Sequence, residues 1–274
     1  MLKKIRAFTL IEILVVITII GLLLAVAITI FPQATNKARM AKSLKFSQTI
    51  HNSIGVDLVA TWNGDEGGNG TCDGKDLCDQ SGYLNHGVNN GVIWDTDTPS
   101  GDNYSLNFNN VGDYISVTPT LGLNLSNKTI EVWIKTTQDN TAIIGQKDSS
   151  GEWALLIRNG HIRYVDIVNN TYIEGEKTIN DGQWHHIVAI APISGLGNII
   201  YVDSKVDAKK AITNTPSGGI VYIGSCSKIA VGLCGNSYYL GRMDDIRIYN
   251  KAMNATEVEK NYAEKIGEYS VSLR

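Results

Sequence analysis

The chain has 274 residues, a formal net charge of −3, 43% hydrophobic and 19% charged residues. That composition excludes a disordered or collagen-like chain and leaves room for one or two folded domains. Charge is unevenly placed, net +6 over residues 1–56 and net −9 beyond them, so the acidic outer part is not expected to bind nucleic acid.

Phe8 to Phe31, FTLIEILVVITIIGLLLAVAITIF, is a 24-residue apolar run with one charge, Glu12. As a helix it would be roughly 36 Å long, enough for a hydrocarbon core of about 30 Å, so it reads as a membrane segment. A carboxylate there costs about 2.5–3.5 kcal/mol on insertion scales, which makes Glu12 a functional candidate. Lys3, Lys4 and Arg6 precede the run, holding the N-terminus in the cytoplasm and sending the remainder outward. A secretory signal ending at Ala25-Val26-Ala27 is the competing reading. Against it, the run exceeds the usual length of such a segment, contains Glu12 and continues through Ile28 and Ile30.

MLKKIRAFTLIEILVVITIIGLLLAVAI resembles the N-terminus of type IV pilins and pseudopilins: a short basic leader, a small residue, Phe, then TLIE and a long hydrophobic helix. The resemblance implies that a prepilin peptidase cuts between Ala7 and Phe8 and that the new Phe8 amine is methylated. It also implies that Glu12 pairs with the terminal amine of a neighbouring pilin-like subunit, which supplies the countercharge a buried acid needs. Ala7 stands where that family usually has Gly, and Pro32 lies three residues later than its usual position; a kink is expected at Pro32. Residues 1–7 are then a leader and 8–55 a membrane and stalk helix. The stalk is expected over 33–54, with Ala34, Ala38, Ala41, Leu44 and Ile54 on a thin apolar face and Gly55 as its stop.

From Val56 the texture changes to short β-like runs separated by Gly, Asn, Asp and Ser. Tyr114–Val117, Lys128–Lys135, Trp153–Arg158, His161–Ile167, His185–Ala191, Asn198–Val202, Val221–Ile223 and Tyr239–Tyr249 are among ten or more expected strands. The class is mainly β, a sandwich or jelly roll over 56–265. Asn254 followed by ATEVEKNYAE has capping-box spacing to Glu257 and predicts one short closing helix, with 266–274 as a tail.

All four cysteines lie beyond the membrane segment, in agreement with export. Of three connectivities, the local pairs Cys72–Cys78 and Cys226–Cys234 are expected, because each brackets a Gly- and polar-rich loop. Zinc is the competing reading, but the spacings are long for a metal knuckle and no histidine is interleaved.

The ordered motifs VATWNGDEG, DQSGYLNHG, YSLNFNNVGDYISV, IEVWIK, NDGQWHHIVA, IIYVDSK and LGRMDDIRIYNKAMNATEVE resemble the laminin-G-like, concanavalin A-like jelly roll. Ser204 replaces the usual Gly of the YVDGK turn, and the Cys72–Cys78 loop looks inserted. The resemblance implies a structural calcium held by Glu66, Asp79 and Asp244, with Asp245 as a substitute; calcium takes six to eight oxygens. Ordinary turn chemistry is the alternative, with Asp79 capping its own turn.

Trp133 and Trp184 read as core, whereas Trp62, Trp94 and Trp153 have weaker contexts, and an aromatic at a sandwich rim would stack on sugars. His185 and His186 are adjacent on a strand and point to opposite faces, one packed or bonded and the other exposed. Retaining glycoside hydrolysis needs two carboxyls about 5–5.5 Å apart. Glu131 has no second acid at strand spacing, and Asp244 and Asp245 would diverge, so catalysis is not expected. The expected protein is a filament subunit presenting a sandwich to a glycan or protein. The alternatives are a minor pseudopilin of a secretion or DNA-uptake machine and a membrane-tethered glycan-active enzyme.

Overall fold

A computed structural model describes residues 11, 14–20, 57–68, 72, 76–119, 122–149, 152–192, 197–229, 231–235 and 237–267. The chain divides into two units, Met1–Asn52 and Ser53–Arg274. In the first, Ile11 and residues 14–20 are helical and exposed, and Thr18 returns its hydroxyl to the carbonyls of Leu14 and Val15 at 3.0 and 2.8 Å. A helix apolar all round needs lipid or neighbouring helices to cover it. No helix among the described residues is long and apolar enough to cross a membrane. Ala7, Phe8, Glu12 and the expected stalk lie outside the described residues, as does 268–274 of the tail.

The second unit has fifteen strands among its described residues. They are β1 (Leu58–Trp62), β2 (Gly87–Asn90), β3 (Ile93–Asp95), β4 (Ser105–Phe108), β5 (Tyr114–Val117), β6 (Lys128–Lys135), β7 (Thr141–Lys147) and β8 (Glu152–Arg158). These are followed by β9 (His161–Asp166), β10 (Thr171–Glu174), β11 (Trp184–Ala191), β12 (Asn198–Val202), β13 (Lys205–Lys210), β14 (Ile220–Ile223) and β15 (Gly241–Tyr249). Three helices complete it: α1 (Cys226–Ile229), α2 (Val231–Cys234) and α3 (Ala255–Lys265).

The strands form two antiparallel sheets. One has the order β13-β12-β11-β6-β15-β4-β3, with β1 also paired to β15; the other runs β10-β9-β8-β7-β14-β5-β2. Alternate residues such as Val132 and Ile134 of β6, Leu155 and Ile157 of β8, and Ile187 and Ala189 of β11 meet in one core between the sheets.

The outer faces are also covered in part, which is why β6 and β8 are buried along nearly their whole length rather than at alternate positions. Met253 and Val258 of the α3 region pack on Leu58, Val188, Ile190, Tyr201 and Tyr249 of the eight-stranded sheet. On the other sheet, Cys226 and Ile229 of α1 pack on Ala142, Ala154, Leu156 and Val165. Gly145 makes that second contact feasible, since a Cβ there would stand 2.6 Å from Ile229 Cγ2.

The closing helix starts where its spacing predicts. Asn254 accepts from the Glu257 N–H at 3.0 Å, and the Glu257 carboxylate accepts from the Asn254 N–H at 2.9 Å. Both disulfides are the local pairs, with Cα separations of 5.6 Å for Cys72–Cys78 and 6.0 Å for Cys226–Cys234.

Candidate functional site

Strands β5 and β14 are neighbours, with Tyr222 opposite Ser116 and Ile223 opposite Ile115. Ile115, Val117, Val221 and Ile223 are buried in the core, so the two-residue period turns Tyr114, Ser116 and Tyr222 to the outer face. Val88 of β2, paired with Ser116, extends this face and is exposed.

Tyr238 joins from the segment after the disulfide loop. The Tyr114 ring lies 6.3 Å from that of Tyr222 and 6.5 Å from that of Tyr238, tilted by 51° and 40°. Lys228 Nζ stands 5.5 Å from the Tyr114 ring. The loop that carries Lys228 is fixed at several points: the Cys226–Cys234 bridge closes it, Arg158 donates to the Leu233 carbonyl, and Gln138 Nε2 donates to the Tyr238 carbonyl at 2.9 Å. Three half-buried tyrosines thus make a rigid, amphipathic surface that costs little side-chain entropy to use. Sequence reasoning named none of these three tyrosines as a site residue. The available signal was the alternation in YISV and IVYI, which places tyrosine opposite the aliphatic residues.

The tryptophans themselves are in the core or bonded. Trp62 and Trp153, whose sequence contexts are the weaker ones, are fully buried; Trp62 donates to the Asn85 carbonyl at 2.8 Å and Trp153 to Gln146 Oε1 at 3.1 Å. Trp133 is buried and stacks on Tyr262 with centroids 5.5 Å apart. Trp184 donates to Asp97 at 2.9 Å.

The four acids expected around calcium each have partners of their own. Asp79 accepts from the N–H groups of Thr61, Ser81 and Asn85 at 2.9 Å and from the Ser81 hydroxyl at 2.8 Å, so it organises its own turn. Glu66 accepts from the Cys78 N–H at 3.0 Å, and burial raises its pKa. Asp244 and Asp245 do not diverge as adjacent strand residues should. A β-bulge lies between Asp244 and Arg247, Asp245 has φ +46°, and both carboxylates reach Lys265 Nζ at 2.9 Å. Among the described residues no group of three or more His, Cys, Asp or Glu is placed to hold a metal ion.

Glu131 is also not alone. It is buried under α3, accepting from His186 Nε2 at 2.8 Å, the Tyr249 hydroxyl at 2.8 Å and Asn261 Nδ2 at 2.9 Å, with Arg247 at 3.6 Å. Burial would raise its pKa, but the charge of Arg247 and the bond from His186 lower it overall.

His185 and His186 do face opposite sides of the sheet, yet both are buried, because α3 covers one side and Asp181 and Asp203 bracket the other. Burial opposes charging of His185, but Asp203 at 2.8 Å and Asp181 at 3.2 Å raise its pKa overall. A raised histidine pKa stabilises fully below the unfolded value of about 6.5, and the contribution is lost as pH rises through the folded value. Thermal unfolding of the wild type should therefore fall by a few degrees as pH rises from about 6 through the folded pKa. His185→Gln should flatten that slope; an unchanged slope would remove His185 as its source.

Comparison with known proteins follows the same division of the chain. A family model described as the concanavalin A-like lectin/glucanases superfamily matches residues 108–259, and one for the prokaryotic N-terminal methylation motif matches residues 2–28. The receptor-binding domain of botulinum neurotoxin D is similar at TM-score 0.56 and 16% identity, over 76% of this chain and 52% of that one. The binding domain of Paraclostridial Mosquitocidal Protein 1 has TM-score 0.57 and 18% identity over 76% and 52%. This chain thus spans about half the length of those toxin domains. Domain 4 of AbnA, an extracellular arabinanase from Geobacillus stearothermophilus solved with arabinotriose, is similar at TM-score 0.57 and 16% identity, over 74% of this chain and 97% of that domain. No curated protein matches.

Proposed function

This chain belongs to the concanavalin A-like lectin/glucanases superfamily, and from that membership we propose that it is a pilin-like surface subunit whose jelly roll binds saccharide. The observation that carries the reading is the Tyr114–Tyr222–Tyr238 face, an aromatic surface open to solvent on a sheet whose other side is core. A pyranose ring has an apolar C–H face and a rim of hydroxyls, matching tyrosine rings with polar tips. The arabinotriose complex of a domain with the same fold supports this ligand class.

The methylation motif supplies the other half. Cleavage between Ala7 and Phe8 by a prepilin peptidase leaves the apolar helix on the mature protein, so the sandwich stays outside the membrane on a polymerising stem. Structural and adhesive work fits this arrangement better than turnover. The carboxylate–imidazole pair Glu131–His186 is shut beneath α3 and is 1% or less exposed, so it serves packing.

The reading is tested by recovering the protein from cells, mapping its terminal peptide and measuring its retention on immobilised polysaccharide. Filaments that start at Phe8 and are retained by the polysaccharide are expected. A chain that starts near Ile28 and is released into the medium would overturn the filament half, and unretained filaments would overturn the binding half.

A further inference from the structure

A second feature lies at the opposite end of the seven-stranded sheet, where its edge strand β10 meets β13, the edge strand of the other sheet. A groove of about 490 Å³ opens between them, lined by Asn170, Thr171, Tyr172, Lys210, Ile212 and Thr213 among others. Tyr172 is 43% exposed. Two cations lie over its ring, Arg163 Cζ at 4.3 Å and Lys210 Nζ at 4.9 Å from the centroid.

The two cations differ in what balances them. Arg163 is paired with Glu174. Lys210 has no carboxylate within ion-pair distance among the described residues. The groove therefore carries surplus positive charge on a chain whose outer part is acidic, beside an exposed ring and the polar side chains of Asn170, Thr171 and Thr213.

We infer that this groove binds an acidic saccharide unit, its carboxylate paired with Lys210, its ring over the open part of Tyr172 and its hydroxyls toward Thr171, Thr213 and Asn170. The inference rests on the saccharide-binding reading but assigns a separate site. Charge complementarity selects the anion, because Arg163 is already neutralised and Lys210 is the cation left over. The mixture of one aromatic face with neutral polar groups selects a sugar over a simple anion, which would use the charge alone.

The test uses the full chain in detergent micelles, titrated with trigalacturonic acid, neutral galactotriose and a hexaglutamate peptide. Trigalacturonic acid should bind about tenfold more tightly than galactotriose at low salt, since one charge-assisted bond separates them, and the gap should narrow with salt. Lys210→Gln should erase the preference, and Tyr172→Ala should weaken trigalacturonic acid. Equal binding of the acidic and neutral sugars, loss of the preference in Tyr222→Ala but not Lys210→Gln, or tighter binding of hexaglutamate would each overturn the assignment. Binding of trigalacturonic acid that depends on Tyr222 and not on Lys210 would defeat this site while leaving the saccharide-binding reading standing.

Discussion

Glu131→Ala should lower the stability of the jelly roll by about 3–5 kcal/mol, the usual cost of removing one member of a buried ion pair. The expectation is large because one carboxylate serves four groups from three elements: His186 of β11, Arg247 and Tyr249 of β15, and Asn261 of α3. Alanine would leave a half-buried guanidinium facing Asp245 alone and would strip a hydrogen-bond partner from an imidazole, a phenol and an amide. Tyr249→Phe removes one bond and should cost about 1 kcal/mol.

Glu131→Gln separates charge from hydrogen bonding, because it can still accept from Tyr249 and Asn261 but no longer balances Arg247. Since the folded pKa of Glu131 is lowered, its contribution is present above the unfolded carboxyl value and is lost as pH falls through the folded value. Urea denaturation of the three variants checks all of this. A Glu131→Ala penalty below about 1 kcal/mol would mean that α3 is held by its apolar contacts to Leu58, Val188 and Tyr249 alone.

Glu12→Val should abolish filament assembly while leaving membrane insertion intact or improved. Burying a carboxylate in a membrane helix costs about 2.5–3.5 kcal/mol, and valine removes that cost. What valine cannot do is pair with a terminal amine, the role the resemblance to pilins gives to Glu12. Removing one partner of a buried pair leaves the other uncompensated, so the subunit contact loses more than the helix gains. Counting sheared filaments by electron microscopy, with membrane fractions as the insertion control, decides the point. Wild-type filament numbers in Glu12→Val would remove the ion pair from the account.

The fold was largely legible in the chain because its signals are local. The order of motifs from VATWNGDEG to the Asn254 cap, the turn residues and the period-two runs specify strands without knowledge of what packs on them. Residues whose role depends on a distant partner were not legible. Nothing in the dipeptide Asp244-Asp245 announces the bulge and positive φ that turn both toward Lys265. Likewise, one of His185 and His186 reads as exposed until α3, nearly 70 residues later in the sequence, closes over His186. The tyrosine face is an intermediate case. Alternation put Tyr114 and Tyr222 on the outer side, but only the sheet order β7-β14-β5-β2 makes them neighbours, and only the disulfide loop and the segment after it add Lys228 and Tyr238.

The saccharide-binding claim is met most directly by titrating the full chain, in detergent micelles, against a panel of neutral and acidic oligosaccharides, with the Tyr114→Ala/Tyr222→Ala double variant alongside. The wild type should bind members of the panel. The double variant should bind neutral sugars at least tenfold more weakly, as expected when aromatic anchors are truncated, with its unfolding temperature within a few degrees of wild type. No binding by the wild type, or equal binding by the folded double variant, would contradict the assignment of ligand binding to this face.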